Sequence, residues 1–333
     1  MAVSGFERKP PPMAAQVAAG VWMRCVFTPM MWGVQKLGLA EKMMASFSDK
    51  RDQEFVKKNP FRGYIPGLQD VFVATFAKSG TNWMMQIVHQ LIHHGKGDYD
   101  HIHDVVPWPD AKLTNPMMGK YAIPLDQATG WQTAPERKRV IKTHFNWELL
   151  PYSEEARYIS VIRDPKDVFV SAYFFMKDSG MGSAMPPVDT MYRLFLADKF
   201  LLGGSWPANA AGYWAQRHRP NVLLVSFKAM KRDLEGTVRQ VACFLGIHVP
   251  DETIRAVCEK SSFEYMKGID HKFGVGKMVA WSEPGAMIRK GRQGGSAELL
   301  TPVQQRELDA HCMAELKRLG SDLPYKEFAD LAP

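Results

Sequence analysis

Val71-Phe-Val-Ala-Thr-Phe-Ala-Lys-Ser-Gly-Thr-Asn-Trp83, followed by Met84-Met-Gln-Ile-Val-His-Gln-Leu-Ile92, is the stretch that decides the fold. A β-rich apolar run breaks at Lys78-Ser79-Gly80-Thr81. It then continues with Met84, Ile87, Val88, Leu91 and Ile92 at helical spacing. This is strand, tight loop, helix. The loop therefore falls at a helix N-terminus, where unpaired N–H groups and the positive end of the dipole favour an anion. Lys78 adds a mobile charge, Ser79, Thr81 and Asn82 add short donors, and Gly80 lets the backbone approach a ligand closely. The reading is a phosphate cradle for a nucleotide-like anion. It is not a Walker A loop, because the lysine precedes the glycine and Trp83 follows three residues later.

Three further strands are expected at Arg139–Lys142, Tyr158–Ile162 and Val222–Phe227, with helical patterns between them. Strand–helix alternation implies an α/β fold, a central parallel sheet flanked by helices, with its site at the carboxyl ends of the strands. Residues 13–58 read as a helical extension before a core that starts near Tyr64, dividing the chain into 1–59 and 60–333. The extension is expected to form two short amphipathic helices covering the core. Contact with a membrane surface through Trp22, Phe27, Met30, Met31 and Trp32 is the alternative. Loops at 107–135 and 268–290 are long enough to serve as lids or pocket walls.

The 333 residues, 46% apolar and 23% charged, have the composition of a folded globular protein. A net charge of +7 suits a polyanionic ligand without naming one. Cys25, Cys243, Cys258 and Cys312 are scattered without CxxC spacing, which argues for reduced thiols and a cytoplasmic location. No uninterrupted apolar run reaches the ~18 residues of a bilayer span.

Two other strand ends carry basic residues: Val140-Ile-Lys-Thr-His144, and Tyr158-Ile-Ser-Val-Ile-Arg-Asp-Pro165 leading into a helix with Ser171. Ile288-Arg-Lys-Gly-Arg-Gln-Gly294 is a fourth basic motif. In this order, from about residue 60 to 295, they resemble the soluble sulfotransferases that use 3′-phosphoadenosine 5′-phosphosulfate (PAPS) and release 3′,5′-adenosine bisphosphate (PAP). The resemblance implies that Lys78, Ser79, Gly80, Thr81, Asn82 and Trp83 form the 5′-phosphosulfate loop, with Ala77 and Asn82 replacing the usual Pro and Thr. It implies that Arg163 and Ser171 bind the 3′-phosphate and that Arg289, Lys290 and Gly291 close over it. Trp83, Ser261 and Phe263 then contact the adenine, with Phe227 where a Tyr is usual. His144 takes the role of general base, and Lys78 and Lys142 stabilise charge in transfer. No metal is implied. Gly294-Gly-Ser-Ala297 departs from the usual Gly-Asp-Trp-Lys, and the short dimer signature of animal members is missing, so the oligomeric state is not inherited.

The competing readings are a P-loop nucleotide kinase or NTPase and a non-catalytic nucleotide- or membrane-binding protein. The first conflicts with the displaced lysine and with Lys228, rather than an acid, after the last strand. The second conflicts with retention of Lys78, Lys142 and His144 together. His89, His93, His94, His101 and His103 lack the Glu of a zinc-binding His-Glu-x-x-His. Arg137-Lys-Arg139 and Lys231-Arg232, without interleaved aromatics, read as solvated surface rather than a nucleic-acid patch. Val106-Pro-Trp108, Met117-Met118, Trp131, Phe145, Phe174-Phe175 and Met287 are the expected walls of an apolar pocket for a small hydrophobic alcohol or phenol.

Overall fold

The computed structural model describes residues 11–114, 122–200, 203–274, 286–291 and 294–332. Strands β1 (Asp70–Ala74), β2 (Arg139–Thr143), β3 (Arg157–Ile162) and β4 (Val222–Ser226) form a parallel sheet in the order β2-β1-β3-β4. Val71 pairs with Val140 on one side of β1 and with Arg157 on the other. The chain thus leaves β1 in one direction to make β2 and in the other to make β3 and β4. Such a reversal opens a crevice at the carboxyl end of β1.

β1 is buried throughout because both faces of the sheet are covered, which is why it reads as an unbroken apolar run. Its side chains alternate all the same. Val71 and Val73 join a cluster with Met84, Ile87, Val88 and Leu91, whereas Phe72 and Ala74 join Ile141, Phe145, Tyr158 and Tyr213 on the other face.

Helices are labelled as follows: α1 Met13–Lys36, α2 Ala40–Lys57, α3 Thr81–Ile92, α4 Pro165–Met176, α5 Phe263–Gly268 and α6 Pro302–Arg318. α3 presents the expected apolar side to the sheet, but Met85, Gln86, His89 and Gln90 are buried too, so it is enclosed almost all round. α4 starts where Asp164 Oδ1 accepts the Lys166 N–H at 2.9 Å and Pro165 takes the first helical position. Lys166 is buried and pairs with both Asp164 and Asp309 of α6. Asp164 and Asp309 also accept the Asp330 and Ala332 N–H groups, tying the C-terminal segment to the base of α4.

The N-terminal segment differs from the expected pair of covering helices. α1 runs continuously through a π-helical turn at Met23–Phe27, and only Gly20 and Met31 are buried. α2 supplies the covering, through Met44 in the core cluster around α4.

Candidate active site

β1 delivers its chain into a loop that is forced as well as placed. Lys78 sits at φ 68° and Gly80 at φ 105°, in the left-handed region that favours glycine. A Cβ on Gly80 would lie 2.9 Å from the Phe227 ring, so this position excludes a side chain on two grounds. The Lys78 carbonyl is held by Arg163 Nη1 at 2.9 Å, linking the ends of β1 and β3. Thr81 opens α3, whose first N–H groups face the cavity without intrahelical acceptors. Ser79 Oγ is fully buried and, among the described residues, has no hydrogen-bond partner.

One cavity at the carboxyl ends of the strands is lined by Lys78, Gly80, Thr81, Asn82 and Trp83 from the loop, by Lys142 and His144 from β2, and by Arg163 and Ser171 from β3 and α4. Phe227, Phe263, Arg289, Lys290 and Gly291 complete its far side. The sequence-predicted residues are therefore brought together, with two exceptions. Ser79 and Ser261 do not line the cavity. Ser261 is buried behind Trp83 and accepts its indole N–H at 2.7 Å through the main-chain oxygen.

Trp83, Phe227 and Phe263 form an aromatic end. Trp83 meets Phe227 edge to face at 5.6 Å, and the Arg163 guanidinium lies 4.4 Å from the Phe227 ring centre. Lys231 lies 5.9 Å from the Trp83 ring and 5.7 Å from that of Phe263. Lys231 was expected on solvated surface; it is exposed, but at the rim of this cavity. Gly291, at φ 55°, packs so tightly on Phe263 that a Cβ would come within 2.3 Å of the ring.

At the opposite end, His144 Nδ1 is 2.9 Å from the Thr75 carbonyl oxygen. A carbonyl only accepts, so Nδ1 carries the hydrogen and Nε2 keeps its lone pair. Burial, then the neighbouring Lys142 charge, hold the imidazole down to about 3, so it is neutral at ordinary pH. Burial also pulls Lys142 down to about 7, against the attraction of Asp110. Lys78 is pulled down to about 8 by burial and by Arg163. Two lysines and an arginine thus face one space, with Asp110 acting on Lys142 and Asp167 3.8 Å from Arg163 as neighbouring acids, a concentration of cations suited to an anion.

Several members escaped the sequence reading. Asp110 is fully buried, accepts the His144 main-chain N–H at 3.1 Å through Oδ2, and is pushed up to about 6 by burial. Asp167 accepts the Gly294 and Gly295 N–H groups at 3.1 and 2.9 Å, tethering the segment that lacks the usual Gly-Asp-Trp-Lys. Glu298 pairs with both Arg289 (2.7 Å) and Lys290 (2.8 Å). An acid four residues after Arg163 was a visible signal for Asp167; Asp110 and Glu298 offered none.

The expected acceptor walls divide. Trp108, Phe175 and Met287 line the cavity. Phe145 and Val106 are instead core residues, and Trp131 borders a separate cavity with His89, His93 and Lys138. Phe174 lies 4.3 Å beneath the Arg289 guanidinium. Met117 and Met118 fall outside the described residues. The histidines form two pairs rather than one cluster: the His89 and His93 rings lie 4.5 Å apart and those of His101 and His103 5.6 Å apart, while His94 pairs with Glu136, His101 with the Gly274 carbonyl and His103 with that of Val106. Among the described residues no three metal-ligating side chains meet.

The sulfotransferase domain family matches residues 68–320. Sulfotransferase 2A1 of Macaca fascicularis is 29% identical over 261 residues, covering 77% of this chain and 87% of the relative. The 3-alpha-hydroxysteroid sulfotransferase of Cavia porcellus is 28% identical, covering 72% and 81%. Retinol dehydratase, solved with androsterone and the inactive cofactor PAP, superposes with a TM-score of 0.67 at 20% identity, over 83% of this chain and 88% of that one. A mouse sulfotransferase complexed with PAP gives 0.62 at 22% identity, over 83% and 93%. The chain belongs to the sulfotransferase family. It is an enzyme of that family.

Proposed function

We propose that this enzyme moves a sulfuryl group from PAPS to the hydroxyl of a small hydrophobic alcohol or phenol. The observation that carries the reading is the single cavity with Lys78, Lys142 and His144 at one end and Arg163, Ser171 and an aromatic slot at the other. The left-handed Gly80, the orphaned Ser79 hydroxyl and the helix N-terminus support a 5′-phosphate at the loop. Arg163 and Ser171, with Arg289 and Lys290 across from them, support a second phosphate on the ribose. Trp83 and Phe263 would sandwich the base.

PAPS supplies the activated sulfuryl group; the remaining chemistry belongs to side chains. His144 Nε2 takes the acceptor proton as the oxygen attacks, its ring fixed by the Thr75 carbonyl; the bound polyanion offsets the lysine charges that help hold its basicity down in the free enzyme. Lys78 and Lys142 hold cationic charge against the oxygens on which negative charge grows. Trp108, Phe175 and Met287 exclude water and favour an apolar acceptor. The steroid and retinoid named for the relatives agree with such an acceptor. The division of the chain at residues 59/60 and a cytoplasmic location belong to the same proposal.

Calorimetric titration with PAP and with Mg·ATP tests the reading. Tight PAP binding that Arg163→Ala weakens by about 10–100-fold is expected, as for loss of a hydrogen bond to a charged group. Turnover of PAPS with an alcohol or phenol follows. Preference for Mg·ATP would overturn the assignment.

A further inference from the structure

The reaction leaves α1 unused. Val21, Trp22, Val26 and Met30 each leave 47–51% of their surface exposed, and Met13 leaves 70%. Val21 and Trp22 are successive residues, about 100° apart on a helix, so the apolar surface is broader than one stripe. A helix apolar on most sides belongs inside a protein or in lipid, and among the described residues no core covers most of this one. Among the described residues its hydrogen bonds to the body lie in its last third, where Trp32 Nε1 donates to the Ser183 carbonyl at 2.9 Å and Gln35 Nε2 to that of Ala184 at 3.0 Å; Met31 there and Gly20 farther up are its buried positions. Between Arg8 and Glu41 the chain carries Lys9, Arg24 and Lys36 and no acidic residue.

We propose that α1 embeds in the surface of an anionic lipid bilayer, lying in the headgroup–acyl boundary and holding the enzyme there. Charge complementarity favours lipid over a second copy of this basic chain. Length and charge favour lying over spanning. With the last turns hydrogen-bonded to the body, Met13–Met30 offers about 27 Å of helix against a hydrocarbon core of about 30 Å. Arg24 falls near the middle of that stretch, where a spanning helix avoids charge. Trp22, stacked on Phe27 at 5.3 Å, is an aromatic type enriched at the membrane–water interface. The proposal does not depend on the reaction.

Flotation of the full chain with vesicles tests it, using phosphatidylcholine alone and with phosphatidylserine at about 30%. The protein is expected to float with the anionic vesicles, less with the neutral ones, and to be only partly released by high salt. Trp22→Glu combined with Val26→Glu is expected to lower the bound fraction on the order of tenfold. The circular dichroism and melting temperature should hold, since both residues are exposed. No flotation with either vesicle overturns the proposal, as does a double variant that floats like the parent. Complete release by salt makes the contact purely electrostatic and overturns it too. So does a stable dimer, seen by light scattering, that the double variant splits.

Discussion

Lys142 Nζ lies 3.4 Å from the centre of the Trp108 ring. The same short segment touches β2 at two further points: the Pro107 carbonyl accepts the Lys142 N–H at 2.9 Å, and Asp110 accepts the His144 N–H. Residues 107–110 thus brace the strand end that carries both candidate catalytic groups. Trp108 also meets the His144 ring edge to face at 5.3 Å. The ring favours the charged form of a lysine that burial discharges.

Asp110→Asn keeps the shape of this brace and removes its charge. Because Asp110 raises the Lys142 pKa, the variant should move it below 7. Any limb of the kcat–pH profile that requires charged Lys142 then shifts to lower pH. An unshifted profile with normal folding would show that Asp110 acts through its hydrogen bond alone.

Ligand binding should draw protons from solution. Lys142, near 7, is about half charged at pH 7, and Lys78, near 8, is mostly charged. A polyanion favours the charged forms, so PAP binding at pH 7 should take up roughly half a proton. Affinity should weaken as pH rises through 7 to 8, and uptake should fade below pH 6, where both lysines are already charged. Calorimetry in buffers of different ionisation enthalpy measures the uptake; identical heats in all of them would contradict it.

His144→Ala removes the Nε2 lone pair while leaving the phosphate groups in place. Turnover should fall by about 10²–10⁴-fold with PAP affinity retained. Near-normal turnover would take His144 out of the base role.

Gly80→Ala should be worse than a matched change at Gly246. Both positions have positive φ, 105° and 69°, costing about 1–2 kcal/mol for a side chain. Of the two, Gly80 alone has neighbours within 4 Å, the Phe227 ring at 2.9 Å and Val161 at 3.7 Å. Thermal melts of the two variants separate the strain from the clash, and PAP titration should show lost affinity for Gly80→Ala alone. Equal melting temperatures would mean that Phe227 gives way.

The sheet was legible because its strands are short apolar or β-branched runs bounded by turn residues; all four fall within two residues of their expected positions. Lys78, Lys142, His144 and Arg163 were legible for a related reason, since each follows or ends such a run. Asp110 and Glu298 were not, because an acid in a loop gains meaning only from the cation that folding brings beside it. The same holds for Lys166 and Asp309, which are 143 residues apart. Helix α1 misled for another reason: a periodic apolar pattern states that a face is to be covered and does not say by what.

Glu298 gives the site a property of timing. By pairing with Arg289 and Lys290 it acts as a resident counter-ion on the segment assigned to the ribose phosphate. Arrival of the nucleotide is then an exchange of one anion for another, and departure is the reverse. On the proposed assignment, the two cations therefore keep a partner in the free enzyme, and that pairing must be given up before a phosphate can take its place.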